Sequence, residues 1–142
     1  QLGVVGLEGF ENAYPKQLSG GMGRRAILAR TLIYDPEVLL MDEPFGALDS
    51  QLRMVMHEEL LKVWEATGCT IVFVTHDLGE AITLAQRVVV FTARPGTIST
   101  IRQIDLPQPR DVYRIRFDPR FSALHEELWD DLAAGMKAQV PA

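Results

Sequence analysis

Two kinds of apolar pattern alternate along the chain. Continuous runs of four or five apolar residues fit strands buried on both faces, and stretches with apolar residues every three or four positions fit amphipathic helices. Leu2 to Leu7 is apolar and punctuated by glycine, which predicts the end of a helix. Phe10 to Gln17 reads as a loop broken by Asn12 and Pro15. The next helix runs from an N-cap at Ser19 to about Tyr34, with Leu28 and Leu32 one turn apart, as are Ala29 and Ile33. Asp35-Pro36 stops it. Val38 to Met41 is the first buried strand. Asp49 or Ser50 caps a second helix with the stripe Leu52, Met56, Leu60 and Trp64, and Gly68 ends it. Thr70 to Val74 is a second buried strand, rich in β-branched residues. A short helix over Leu78 to Ala85 leads to a third strand, Arg87 to Thr92. After a turn at Arg94 to Thr97, an edge hairpin strand runs from Ile98 to Ile104, with both of those residues on one parity. Leu106 to Asp118 is an irregular connector, and Phe121 to Met136 is a last helix with Leu124, Leu128 and Leu132 on its stripe.

Strands alternating with helices predict an α/β fold with a mostly parallel sheet and flanking helices. Ligands of such sheets bind at the carboxyl ends of the strands. Asp42-Glu43 and His76 stand at two such ends.

Composition narrows the classes. The 142 residues suit one domain and are enough to bury roughly two-thirds of the unfolded surface. Apolar residues at 47% and charged residues at 23% exclude disorder of the whole chain. The formal net charge of −5 argues against a nucleic-acid partner, which needs clustered positive charge. The single cysteine, Cys69, excludes an internal disulfide and a cysteine-based zinc site, and its place beside an apolar run makes it a small core residue. The apolar runs are far shorter than the roughly 20 residues that span a bilayer.

Adjacent carboxylates leaving a strand point in different directions. Of Asp42 and Glu43, one can hold Mg²⁺ and the other can orient a water that attacks a phosphoryl group. An acidic turn or cap would use the same residues. In Leu18-Ser19-Gly20-Gly21-Met22, two glycines let a ligand approach the backbone, and a helix start presents N–H groups to an anion. A plain Ser-capped turn has the same composition. His76 can hydrogen-bond a terminal phosphate or act as an ordinary capping residue. His57 and His125 lie on helix patterns among glutamates and are read as structural.

The order of these four elements is more specific than any one of them. LSGGM (18–22), VLLMDEP (38–44), GALD (46–49) and THD (75–77) resemble the signature motif, Walker B, D-loop and switch-histidine loop of the ABC-type ATPases, the nucleotide-binding subunits of ABC transporters. The resemblance covers nearly the whole chain. AYPKQ (13–17), DEPFGALD (42–49), ARPG (93–96) and the tail segments LP (106–107), PRD (109–111) and ELW (127–129) are similar to importers of nitrate, sulfonate or taurine.

That resemblance implies a partial P-loop NTPase fold in three parts. Residues 1–34 would end the helical subdomain, 35–105 would be the C-terminal part of the ATPase core, and 106–142 a C-terminal extension. It implies that Asp42 positions Mg²⁺, Glu43 is the general base or water-orienting carboxylate, and His76 contacts the γ-phosphate. Ser19, Gly20, Gly21 and Met22 would face ATP held by a partner subunit, and Asp49 would couple the two sites. Met22 departs from the usual Gln, and a thioether cannot replace that amide's hydrogen bonds. Gly23 stands where a basic residue is common and weakens its helix by about 0.5–1 kcal/mol relative to Ala. The implied partners are a second nucleotide-binding subunit in a head-to-tail dimer, transmembrane permease subunits and, indirectly, a substrate-binding protein, at the cytoplasmic face of the membrane.

The sequence contains no Gly-x-x-x-x-Gly-Lys-Ser/Thr, and none of Lys16, Lys62 and Lys137 follows a glycine. It therefore resembles the C-terminal part, a little over half, of a longer protein, and is expected to be inactive alone. Two other readings compete. A non-transport ABC ATPase of DNA repair or translation would share the motifs, but such proteins usually carry coiled coils, zinc modules or basic surfaces. A truncated, non-catalytic remnant would lack ATP turnover altogether.

Overall fold

The computed structural model describes residues 2–3 and 5–137. They fall into two units, residues 1–74 and 75–142.

In the first unit, α1 (Gly20–Leu32) and α2 (Ser50–Thr67) accompany a parallel pair of strands, β1 (Val38–Asp42) and β2 (Thr70–Val74). The caps are those that the sequence predicts. Ser19 Oγ accepts from Met22 N at 3.3 Å. Asp49 Oδ1 accepts from Gln51 N and Leu52 N, both at 3.0 Å. Gly68 ends α2 at φ +65°, donating to Trp64 O. Leu28, Ala29 and Leu32 of α1, Leu39 of β1, Met56, His57, Leu60, Leu61 and Val63 of α2, and Cys69 are buried.

Three expectations are corrected here. The described residues of the segment 2–7 form turns: Gly6 (φ +62°) adopts left-handed backbone that no α-helix contains, and Gly9 (φ +85°) does so again just beyond it. Val5 and Leu7 are nevertheless buried, and Arg25 Nη1 donates to the carbonyls of Val5 and Gly6 at 3.2 Å. α1 ends at Leu32, leaving Ile33 and Tyr34 exposed, and Asp35 before the proline turns at φ +47°. Finally, neither strand is buried on both faces. Register pairs Leu39 with Ile71 and Met41 with Phe73 on the more covered face, while Val38 (52%), Leu40 (74%), Val72 (47%) and Val74 (52%) are exposed on the other. A continuous apolar run gives both faces an apolar surface, but it does not supply the layer that covers each.

The second unit holds α3 (Leu78–Leu84), the antiparallel hairpin of β3 (Arg87–Phe91) and β4 (Ile98–Gln103), a single 3₁₀ turn at Ile115–Phe117, and α4 (Pro119–Lys137). Its core is Ile82, Val90, Ile104, Leu106, Ile115, Phe121, Leu124 and Leu128, with Leu132 packed against it. The predicted stripe of α4 is thus the buried one. The parity of β4 is different. Val90 pairs with Thr100 but Phe91 pairs with Ile98, so a bulge absorbs Ser99. Ile98 is shifted to the exposed face with Ile101, while Ile104 stays in the core.

Three arginines fasten this unit. Arg102 of β4 makes a two-bond fork with Asp131 (2.7 and 3.0 Å) and reaches Glu127 (3.1 Å), and Arg120 bridges Glu127 (2.7 Å) and Asp105 (2.8 Å). Buried Arg110, from the connector, donates to the carbonyls of Ile82, Thr83, Ala85 and Ile104. Three of these lie at or just past the end of α3, where helix carbonyls have no partner of their own.

Candidate functional site

The carboxyl ends of β1 and β2 lie side by side, with Asp42 paired to Val74. The next amide, Glu43 N, donates to Val74 O at 2.9 Å, so the ladder continues one residue past the strand. Glu43 then takes φ +41°, left-handed backbone that costs a non-glycine residue roughly 1–2 kcal/mol. The cost is met by the turn around it. Gly46 N donates to Glu43 O at 3.2 Å, and Leu48 N to Phe45 O at 3.0 Å. The Phe45 ring is buried, 5.6 Å from the ring of Phe73 on β2 and 5.5 Å from that of His57 on α2. Arg24 Nη1, from α1, donates to Pro44 O. The result is two adjacent, exposed carboxylates on an anchored turn at the end of a parallel strand pair.

The start of α1 belongs to the same unit. Gly20 has open space where a side chain would stand, so its backbone can be approached closely. Gly21 does not: a Cβ there would lie 2.8 Å from Leu52 Cδ1, so this glycine lets α1 pack tightly on the first turn of α2. Met22 is half-buried, with its amide on Ser19 Oγ. Asp49, exposed at the other end of the GALD turn, spends one carboxylate oxygen on the cap of α2, and Arg53 Nη2 donates to Leu48 O beside it.

The structure therefore brings Asp42, Glu43, Asp49 and Ser19–Met22 into one unit. His76 opens the second, two residues after Val74 in the chain. It is exposed, flanked by Thr75 Oγ1 accepting from Asp77 N (3.0 Å) and by Asp77 Oδ1 capping α3 through Glu80 N (3.1 Å). Sequence reasoning missed Arg24, Phe45 and the packing role of Gly21. An aromatic residue inside an acidic, glycine-bearing turn was a readable signal for Phe45, because exposed turns seldom use one. Nothing local marks Arg24.

Two exposed carboxylates supply hard oxygen donors of the kind Mg²⁺ takes. Among the described residues, no group of three or more His, Cys, Asp or Glu could hold a metal ion. The fit is thus to an ion that takes one or two protein carboxylates and completes its shell with phosphate oxygens and water.

The family model described as ABC transporter matches residues 2–46. An uncharacterized ABC transporter ATP-binding protein of Methanocaldococcus jannaschii, MJ0412, is 59% identical over 114 residues, covering 80% of this chain and 43% of that protein. The nitrate import ATP-binding protein NrtD of Synechocystis is 48% identical over 132 residues, covering 89% of this chain and 50% of NrtD. The aliphatic sulfonates import ATP-binding protein SsuB of Bacillus cereus is 51% identical over 107 residues, covering 75% and 43%.

The chain is homologous to ABC transporter ATP-binding domains.

Its fold agrees. The dimeric post-hydrolysis structure of the ATP-binding cassette MJ0796, bound to ADP and Pi, superposes with a TM-score of 0.54 at 35% identity, over 72% of this chain and 44% of that one. The α/β expectation and the ABC-type ATPase fold therefore both hold. The chain spans about half the length of the curated ABC relatives it matches. Among the described residues, no helix is long and apolar enough to cross a membrane.

Proposed function

We propose that these residues serve an ATPase subunit of an ABC importer, and that the Glu43 turn is its hydrolytic centre. The observation that carries the reading is the anchored, left-handed Glu43 beside Asp42 at the carboxyl end of a parallel strand pair. Glu43 orients a water, accepting a proton from it as its oxygen attacks the γ-phosphorus and the bond to the bridging oxygen breaks, giving ADP and phosphate. Asp42 holds Mg²⁺, which when bound neutralises charge on the phosphate oxygens. His76 donates a hydrogen bond to the γ-phosphate.

Ser19, Gly20 and Gly21 present the start of α1 to ATP held by a second nucleotide-binding subunit, arranged head to tail. Met22 acts there through the cap, its amide holding Ser19 Oγ, since its thioether is a poor partner for a phosphate oxygen. Asp49, committed to capping α2, couples the two sites through the placement of that helix. The partners are this second subunit, permease subunits in the membrane and, through them, a substrate-binding protein. The protein works peripherally at the cytoplasmic face. The names of NrtD and SsuB support a small cargo of the nitrate or sulfonate class, and taurine, an aminosulfonate, falls within the second.

The 142-residue chain holds no phosphate-binding loop and should not turn over ATP by itself. Steady-state phosphate release tests this: the isolated chain should stay at the background rate, and a complete subunit carrying it should not. Turnover by the isolated chain that disappears in Glu43→Gln would contradict the proposal.

A further inference from the structure

The Glu43 turn is held from β2, α2 and within itself by Glu43 N on Val74 O, Gly46 N on Glu43 O, Leu48 N on Phe45 O, and the Phe45 ring beside Phe73 and His57. A further contact comes from elsewhere. Arg24 lies on α1, five residues after the Ser19 cap, or about 7.5 Å along the helix axis. Its Nη1 donates to the carbonyl of Pro44, the residue directly after Glu43. A proline has no N–H, so this carbonyl is the only backbone hydrogen-bonding group Pro44 has. A bond from a guanidinium is also among the stronger of its type.

We infer that Arg24 is a positioning residue for Glu43, tying the turn that presents this carboxylate to the first turns of α1. This rests on the reading of Glu43 given above. Glu43 sits in a backbone region it would leave if the turn relaxed. Relaxation to ordinary helical or extended φ would swing the carboxylate away from its present aim. Arg24 opposes this from the helix that begins with Ser19-Gly20-Gly21. A ligand drawing on that helix start would therefore bear on the water-orienting carboxylate of the same chain. The tie lies wholly within one unit and uses no atom of the nucleotide.

The test uses a complete ATPase subunit carrying this segment, in five forms: the parent, Arg24→Met, Arg24→Lys, Glu43→Gln and the Arg24→Met/Glu43→Gln double variant. Arg24→Met should lower kcat about tenfold or more, the loss expected for one charge-assisted hydrogen bond, with KM for ATP within about twofold. Arg24→Lys keeps a cationic donor and should recover part of that loss. In the Glu43→Gln background, Arg24→Met should change nothing further. Hydrogen exchange gives a readout without nucleotide: the amides of Glu43 and Gly46 should exchange faster in Arg24→Met, while those in the middle of α2 keep the parent rate.

A parent-like kcat for Arg24→Met, with Glu43→Gln inactive, overturns the positioning role and leaves the reading of Glu43 standing. A parent-like kcat for Glu43→Gln overturns that reading and this inference with it. A loss of kcat with unchanged exchange at Glu43 and Gly46 also overturns the inference, because the effect then bypasses the turn. If Arg24→Met does not fold, Arg24→Lys carries the same comparisons, and its kcat and exchange rates must shift together.

Discussion

Replacing Arg110 by methionine should unfold the second unit at much lower denaturant. The Arg110 side chain is buried, and Nη1 lies 3.0, 3.1 and 2.6 Å from the carbonyls of Ile82, Thr83 and Ala85, with Nη2 3.4 Å from Ile104 O. Nη1 carries two N–H bonds, so its three contacts count as about two hydrogen bonds. Methionine fills a similar volume but donates nothing, so it strands the α3 carbonyls in a dry site. Burial itself lowers the guanidinium's pKa and so opposes its charge, which takes something off the gain. Losing about two hydrogen bonds from a charged donor, at roughly 1.5–3 kcal/mol each, should cost about 3–5 kcal/mol. With a urea slope of about 2 kcal/mol/M, the midpoint should fall by roughly 2 M. Trp129 on α4 reports this unit and Trp64 on α2 the other. Fluorescence in a Trp64→Phe background therefore isolates the transition of interest. Arg110→Lys should fall between parent and Arg110→Met, since one ammonium cannot span the same carbonyls. A midpoint for Arg110→Met within about 0.3 M of the parent would refute the argument, because it would mean that these carbonyls need no partner.

Two further outcomes follow from the geometry. Gly21→Val should lower the urea midpoint read by Trp64 by the equivalent of about 1–3 kcal/mol, since its Cβ alone would meet Leu52 Cδ1 at 2.8 Å, whereas Gly20→Ala, into open space, should change stability by no more than about 0.5 kcal/mol. Equal effects of the two would remove the packing role of Gly21. For acid, the Arg102 fork holds the Asp131 carboxyl below its ordinary range, and Arg120 does the same for Asp105. A depressed folded pKa contributes stability above the unfolded value and loses it as pH falls through the folded one. The second unit should therefore weaken below about pH 4, and Asp131→Asn should flatten that decline. The raised pKa of Arg102 acts only in strong alkali and does not enter near neutrality. An unchanged acid profile in Asp131→Asn would show that the fork contributes no pH-dependent stability.

Much of this fold is written locally. Ser19, Asp49 and Gly68 end helices because a side-chain acceptor or a missing Cβ solves a problem within three residues of the chain. The stripe of α4 is legible because burial follows the helical period through Leu124 and Leu128. What was not legible depends on partners far along the chain. The runs at Val38 and Thr70 announce strands, but whether Leu40 or Val72 is covered depends on layers the run itself does not encode. A single bulge at Ser99 reversed the parity of Ile98, which no alternation rule reveals. The Leu2–Leu7 stretch is helical by composition, and the left-handed backbone at Gly6 decides otherwise.

The candidate site divides the same way. Asp42, Glu43 and Ser19 were readable because strand ends and helix starts are where such groups act. The supports were not: Arg24 reaches across 20 positions to Pro44 and Arg110 across 28 to Ile82, and neither stands in a local pattern that foretells its partner. His57 is structural, as its helix pattern predicts, and its burial beside Phe45 makes it part of the floor under the Glu43 turn.

The central claim is that Glu43, held on its left-handed turn, is the group that drives hydrolysis. The most direct measurement is single-turnover ATP hydrolysis by a complete subunit carrying this segment, comparing parent with Glu43→Gln at saturating ATP. Glutamine keeps the size and polarity of the side chain but cannot take the water's proton. The account expects cleavage to slow by about a hundredfold or more while ATP binding stays near the parent value. Cleavage within about twofold of the parent would contradict it and move the catalytic role to another residue.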